Sequence, residues 1–122
     1  MPRDAGLSLH EDRIRLRHML DAARRAVRIA GDSSITDLAA DDTRLFATVK
    51  FIEIVGEAST KVSDATKQRT PMIQWRAIRL MRNRLIHGYD SVDVAIVHRT
   101  IHEFVPPLIA DLEQILSTWP GG

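Results

Sequence analysis

Hydrophobic positions in this chain recur every three to four residues almost throughout, the period of an amphipathic helix. Ser8-Leu9-His10-Glu11 has the form of a capping box. From there Leu16, Leu20, Ala23, Val27 and Ala30 make one apolar stripe, and Gly31 supplies a C-terminal stop. Residues 32–41 read as a polar connection with room for one short helical turn. A second helix is predicted from about Asp42 to about Lys61. Leu45, Val49, Ile52, Gly56 and Ser59 form one of its stripes, and Phe51, Ile54, Val55 and Ala58 form another. A helix apolar on two faces is either central in a bundle or shared with a second subunit. Gly56 costs such a helix roughly 1 kcal/mol, which a close backbone approach would justify.

Pro71 is expected to open a third helix running to about His87, with Trp75, Ile78, Leu85 and Ile86 on its apolar side and Gly88 ending it. Ser91 is expected to cap a fourth, through Val97, Ile101, Phe104, Leu108, Leu112, Ile115 and Trp119. Pro106-Pro107 must kink or split that element, because two backbone amides are missing and the ring clashes with the preceding turn. No stretch alternates like a strand, and there is no internal repeat. The pattern predicts an all-α bundle of four to five helices in a single domain, residues 1–122.

Composition narrows the class. With no cysteine there is no disulfide framework and no thiolate-held metal, and the usage suits a reducing cytoplasm. Apolar runs are far shorter than a membrane span, and Met1-Pro2-Arg3-Asp4 lacks the apolar core of a signal peptide. A cytoplasmic protein without a membrane partner is expected. The net charge of +1 hides blocks, for residues 68–89 carry Arg69, Arg76, Arg79, Arg82 and Arg84 with no acid. The guanidinium fork suits phosphate.

Two constellations could carry chemistry. His98 and His102, four apart on one helix face, have a spacing that chelates metal but also suits two solvated side chains. The stronger is Arg82-Asn83-Arg84-Leu85-Ile86-His87-Gly88-Tyr89. An imidazole can move a proton near neutrality, and a guanidinium can hold a phosphate through two bonds. Cleaving RNA without a metal needs those roles: a base for the ribose 2′-hydroxyl, a cation for the charge gathering on phosphorus oxygens, and an acid for the leaving oxygen. Asn83 would orient the phosphate or the imidazole.

Spacing alone is weak, since Arg3…His10 and Arg13…His18 resemble it. Five helical residues turn about 500°, leaving Arg82 and His87 some 140° apart on a regular helix. They converge only if the helix ends near His87 or two copies meet. Cations in the last turns of a helix also simply favour its dipole.

The run Met81–Tyr89 resembles the signature of the HEPN superfamily, in the Arg-x4-His-x-Tyr form of its HepT-like branch. The resemblance extends over roughly residues 10–117, through Phe51-Ile52-Glu53-Ile54-Val55-Gly56-Glu57-Ala58, Pro71…Trp75 and Asp90-Ser91-Val92-Asp93. It implies a homodimeric helical bundle whose two Arg/His pairs line a cleft between subunits. It implies a toxin of a type VII toxin–antitoxin pair, an endoribonuclease needing no metal or other cofactor. The implied partner is an MntA-like nucleotidyltransferase that attaches AMP to the motif tyrosine, here Tyr89. Arg82, Asn83 and His87 are the catalytic residues carried over. Arg79 and Arg84 are added as phosphate-positioning candidates, against a reading as solvated face residues. Glu53 and Glu57 are expected to pair with arginines, Arg82 among them. Tyr89 on its own also suits a ring packed beyond a helix end. An alternative function is a non-catalytic dimeric module that binds RNA or nucleotide as subunit of a nucleotidyltransferase. The RNA, tRNA or mRNA, is left open, because such a site reads phosphate and ribose rather than bases.

Overall fold

The computed structural model describes the backbone of residues 5–87 and 91–120, with their side chains apart from those at positions 5–7, 82, 86 and 87. The helical expectation holds: the described residues form an all-α bundle with one minimal strand pair. Helix α1 spans Ala5–Ala30. Ser8 therefore lies inside the helix and caps nothing, because the chain is already helical three residues earlier. The predicted stop is real. Gly31 has φ +56°, the left-handed conformation that spares glycine a Cβ clash, and its amide donates to the Val27 carbonyl at 2.8 Å.

The 32–41 connection holds a complete helical turn, α2 (Ile35–Ala40), opened by a true capping box. The Asp37 amide donates to Ser34 Oγ at 3.1 Å and the Ser34 amide to Asp37 Oδ2 at 3.2 Å. Helix α3 (Asp42–Thr60) follows, capped by the Asp41 carboxylate, which accepts from the Arg44 amide at 3.0 Å. It lies along α1. Its first predicted stripe is wholly buried. On its second, Val55 and Ala58 are buried, while Phe51 and Ile54 are only half-buried. The Arg25 guanidinium sits 5.6 Å from the Phe51 ring centre.

Pro71 does not open a helix. A short helix α4 (Asp64–Arg69) precedes it, and α5 starts later, at Trp75, and ends at Leu85. Ser63 caps α4 locally, its Oγ accepting from the Thr66 amide at 3.3 Å, but what fastens that cap lies far away in sequence. Asp12, 4% exposed, accepts from the Ser63 amide (2.9 Å), Ser63 Oγ (2.6 Å) and Thr66 Oγ1 (2.5 Å), fastening the start of α4 to α1. The turn into α5 is held by Ile73, whose amide donates to the Thr70 carbonyl, and by Trp75 Nε1, which donates to Thr70 Oγ1 at 3.2 Å.

After α5 the chain forms a two-residue strand, β1 (Ile86–His87), antiparallel to β2 (Ser91–Val92), with Ile86 opposite Val92 and His87 opposite Ser91. Helix α6 (Val94–Arg99) is capped by Asp93 rather than Ser91, its carboxylate accepting from the Ile96 amide at 3.1 Å. The predicted interruption before Pro106-Pro107 takes the form of a π-helical stretch, Thr100–Phe104. Helix α7 (Val105–Ser117) then carries the prolines in its first turn, where missing amides cost little. Leu16, Met19, Leu38, Ile52, Ile78, Leu85, Val97, Ile101 and Leu112 lie in one continuous core. Among the described residues no helix is long and apolar enough to cross a membrane.

Candidate functional site

The Arg-rich segment becomes α5, whose buried stripe is Ile78, Met81 and Leu85. These three pin the helix to the core, with half-buried Trp75 packed beside them. Arg76, Arg79, Asn83 and Arg84 are all exposed. Position 82 falls about 40° around the helix from Ile78, on the flank of the buried stripe, with Asn83 a further 100° or so towards solvent.

The end of α5 decides the geometry of the motif. The helix stops two residues before His87, where β-branched Ile86 and the glycine that follows are poor helix formers. The Leu85 carbonyl, which loses its helical partner there, accepts from the Asp93 amide at 2.9 Å instead. His87 thus leaves the helical path in β1, so the angle that a continuous helix would set between positions 82 and 87 does not govern them. Its strand partner is Ser91. Tyr89, the expected modification site, lies outside the described residues, as do the side chains of Arg82 and His87. The expected pairing of a glutamate with Arg82 falls there too. Helix α3, which carries half-buried Glu53 and exposed Glu57, does pack against α5.

Two clefts flank the exposed face of α5 and share Ala77 and Arg84. One, of about 430 Å³, runs along Gln74, Trp75, Arg76 and Leu80. The other, of about 330 Å³, separates α5 from α6 and the π-helical stretch. Sequence reasoning missed this second cleft, since its far wall depends on residues 96–104. A π-helical turn inside α-helical surroundings was the available signal, but it has no sequence signature of its own.

The His98 and His102 rings are neighbours, their centres 4.2 Å apart and their planes inclined by 43°. No third His, Cys, Asp or Glu joins them into a metal-holding group among the described residues. Glu103 pairs with Arg99 instead, at 3.7 Å.

Comparison with known proteins bears on the same segment. The pattern of the family described as "Ribonuclease HepT-like" matches residues 19–115. A "Probable ribonuclease HepT" from Thermococcus cleftensis is 37% identical over 79 residues, 65% of this chain and 72% of its own. A "Putative RNase" from Caldanaerobacter subterraneus is 29% identical over 84% of this chain and 91% of its own. Another from Methanocaldococcus jannaschii is 24% identical over 80% of this chain and 89% of its own. No solved structure matches the chain significantly.

Proposed function

The chain belongs to the HepT-like ribonuclease family, and from that premise we propose that it is an endoribonuclease whose site is built from Arg82, Asn83 and His87. The observation that carries this reading is the end of α5 at Leu85, which frees His87 from the helical path beside a face holding exposed arginines.

In the proposed reaction the His87 imidazole takes the proton of a ribose 2′-hydroxyl. The resulting oxygen attacks the adjacent phosphorus, and the bond to the 5′ oxygen of the next nucleotide breaks. That oxygen receives a proton from an imidazolium, supplied by the His87 of a second copy in the homodimer. Arg82 balances the charge gathering on the phosphorus oxygens, and Asn83 holds the phosphate or the imidazole in line. The products are a 2′,3′-cyclic phosphate and a 5′-hydroxyl. Arg79 and Arg84, both exposed on α5, hold flanking phosphates.

The regulatory part rests on the motif. In the proposed toxin–antitoxin pair a nucleotidyltransferase attaches AMP to Tyr89, two residues beyond His87. A bulky anion there would occupy the phosphate site and repel RNA. The test compares purified chain, shown by mass spectrometry to carry an unmodified Tyr89, with its His87→Ala variant on RNA without divalent metal, product ends mapped. Cleavage by the parent alone, leaving cyclic phosphate, supports the reading. Equal activity in both sinks His87 as the proton carrier. Silence from both would favour the non-catalytic module that binds RNA as subunit of the transferase.

A further inference from the structure

The cleft between α5 and the π-helical stretch has a composition that the cleavage chemistry does not require. Its floor is apolar: buried Met81 from α5, and half-buried Ile96 and Phe104 from the opposite wall. Its rim is charged and mixed in sign, with exposed Arg84 on the α5 side facing Arg99 and Glu103 across the opening. At about 330 Å³ it is at the small end of the range for small-molecule sites. The Arg99–Glu103 contact is 3.7 Å between side chains 78% and 72% exposed. A pair so open to water is worth little, and either partner can turn to a ligand at small cost.

A cleft for phosphate alone would carry cations and no carboxylate. A cleft for a second protein copy would not need a carboxylate and two guanidinium groups around so small an apolar floor. A planar heterocycle with adjacent acceptors on one edge and adjacent donors on another fits all three features. Among the four RNA bases guanine has that edge pattern. Its O6 and N7 accept from a guanidinium fork, and its N1–H and N2–H₂ donate together to one carboxylate. The ring face would lie against Phe104, as unstacked bases lie on aromatic side chains.

Building on the ribonuclease reading above, we propose that this cleft is a guanine subsite: it takes a base one or a few nucleotides from the cut, with Glu103 reading its donor edge, Arg99 its acceptor edge and Phe104 its face, while Arg84 stays on the neighbouring phosphate. Arg84 lines both clefts and so joins this subsite to the basic face of α5. The mixed rim supplies a base preference that Arg82, Asn83 and His87 have no means to supply.

The test separates binding from cleavage. Fluorescently labelled RNA pentamers of uridine with a central G, A, C or U are titrated into His87→Ala protein, which binds without cutting, and followed by anisotropy. The G pentamer should bind about fivefold or more tighter than the others, the low end for a two-bond base contact at an exposed rim. Adding Glu103→Gln should erase the preference for G over A, and adding Phe104→Leu should weaken all four pentamers alike. Melting curves must match those of His87→Ala alone for the comparison to count. Glu103→Gln on the exposed rim keeps the test alive if Phe104→Leu misfolds.

Equal affinity for all four pentamers, or a G preference untouched by Glu103→Gln, overturns the subsite. So does sedimentation showing that Glu103→Gln or Phe104→Leu dissociates a dimer, for the cleft is then a contact between copies. Cleavage by the parent protein without any G preference would sink the subsite and leave the ribonuclease. G-selective binding by a protein that never cleaves would do the reverse.

Discussion

The α1–α3 pair and the limb from α5 to the π-helical stretch solve the same packing problem in opposite ways. Helices α1 and α3 run 26 and 19 residues. They bury small side chains, Ala22, Ala23, Ala26 and Ala30 from one and Gly56, Ala58 and Ser59 from the other. Helices that long hold themselves together by continuous apolar faces. Helices α5 and α6 have 11 and 6 residues, lengths at which an isolated helix is marginal in water. Besides a few buried side chains, Ile78, Met81, Leu85 and Val97, they rely on individual bonds: the Asp93 cap, the Asp93 amide on the Leu85 carbonyl, and the two-residue strand pair. The comparison teaches where chemistry can be put. A long helix fixes the direction of every residue along it, and would hold positions 82 and 87 apart. A short one can stop where the site needs it to stop.

Substitutions in the two regions should therefore fail differently. His87→Ala is expected to give the largest change, a loss of about 10²- to 10⁴-fold in RNA cleavage, the usual contribution of a positioned proton carrier. Its melting temperature should stay within a degree or two of the parent. Ile52→Ala in α3, at a position 1% exposed, should do the opposite. It should cost about 2–5 kcal/mol of stability by opening a cavity. Cleavage per folded molecule, measured well below the melting point, should not change. If Ile52→Ala abolished cleavage in protein still folded, the two regions would not be separable.

Asp12→Ala sharpens the comparison from between the two regions. The carboxylate sits on the long helix and organises the turn that feeds α5. Removing its three bonds should cost about 3 kcal/mol or more, since three donors lose one buried acceptor together. Amide exchange should rise first across residues 63–70, with α1 and α3 protected until global unfolding. Uniform loss of protection along the chain would mean that α4 has no independent fastening.

The same division explains what could be read in advance. Helices α1, α3 and α7 were legible because a buried face of two turns or more imposes its period on Leu16 to Ala30, on Leu45 to Ser59, and on Leu108 to Ile115. Helix α4 was not, because it is only six residues long and what fastens its Ser63 cap is a carboxylate 51 positions earlier in the chain. Ser8-Leu9-His10-Glu11 misled, since a four-residue pattern cannot tell whether the chain before it is already helical. The π-helical stretch hid behind spacing that continues unbroken through Val97, Ile101, Phe104 and Leu108; the double proline marked the place but not the form. At the site, the residue types and their spacing were legible. The stop at Leu85 was not, because Gly88 pointed two residues further and the bond that favours the earlier stop comes from Asp93 across the strand pair.

The smallest effect separates exposed arginines of the two regions from each other. Arg79 and Arg84 lie on the outer face of α5, while Arg24 lies on α1 and donates to Glu113 of α7 at 2.6 Å. That pair is about half exposed on both sides, so breaking it should cost at most a few tenths of a kcal/mol. All three side chains contribute equally to net charge, and a model of diffuse attraction predicts equal losses on replacement by glutamine. Direct phosphate contact predicts otherwise. Each contact releases about 0.7 counterion from single-stranded RNA, so Arg79→Gln and Arg84→Gln should each flatten the dependence of log affinity on log salt by about that amount. Arg24→Gln should leave the slope unchanged and shift affinity only slightly at low salt. Equal slopes in all three would remove Arg79 and Arg84 from the phosphate path, and would leave Arg76 and Arg82 as the guanidinium groups on α5 with a claim on phosphate.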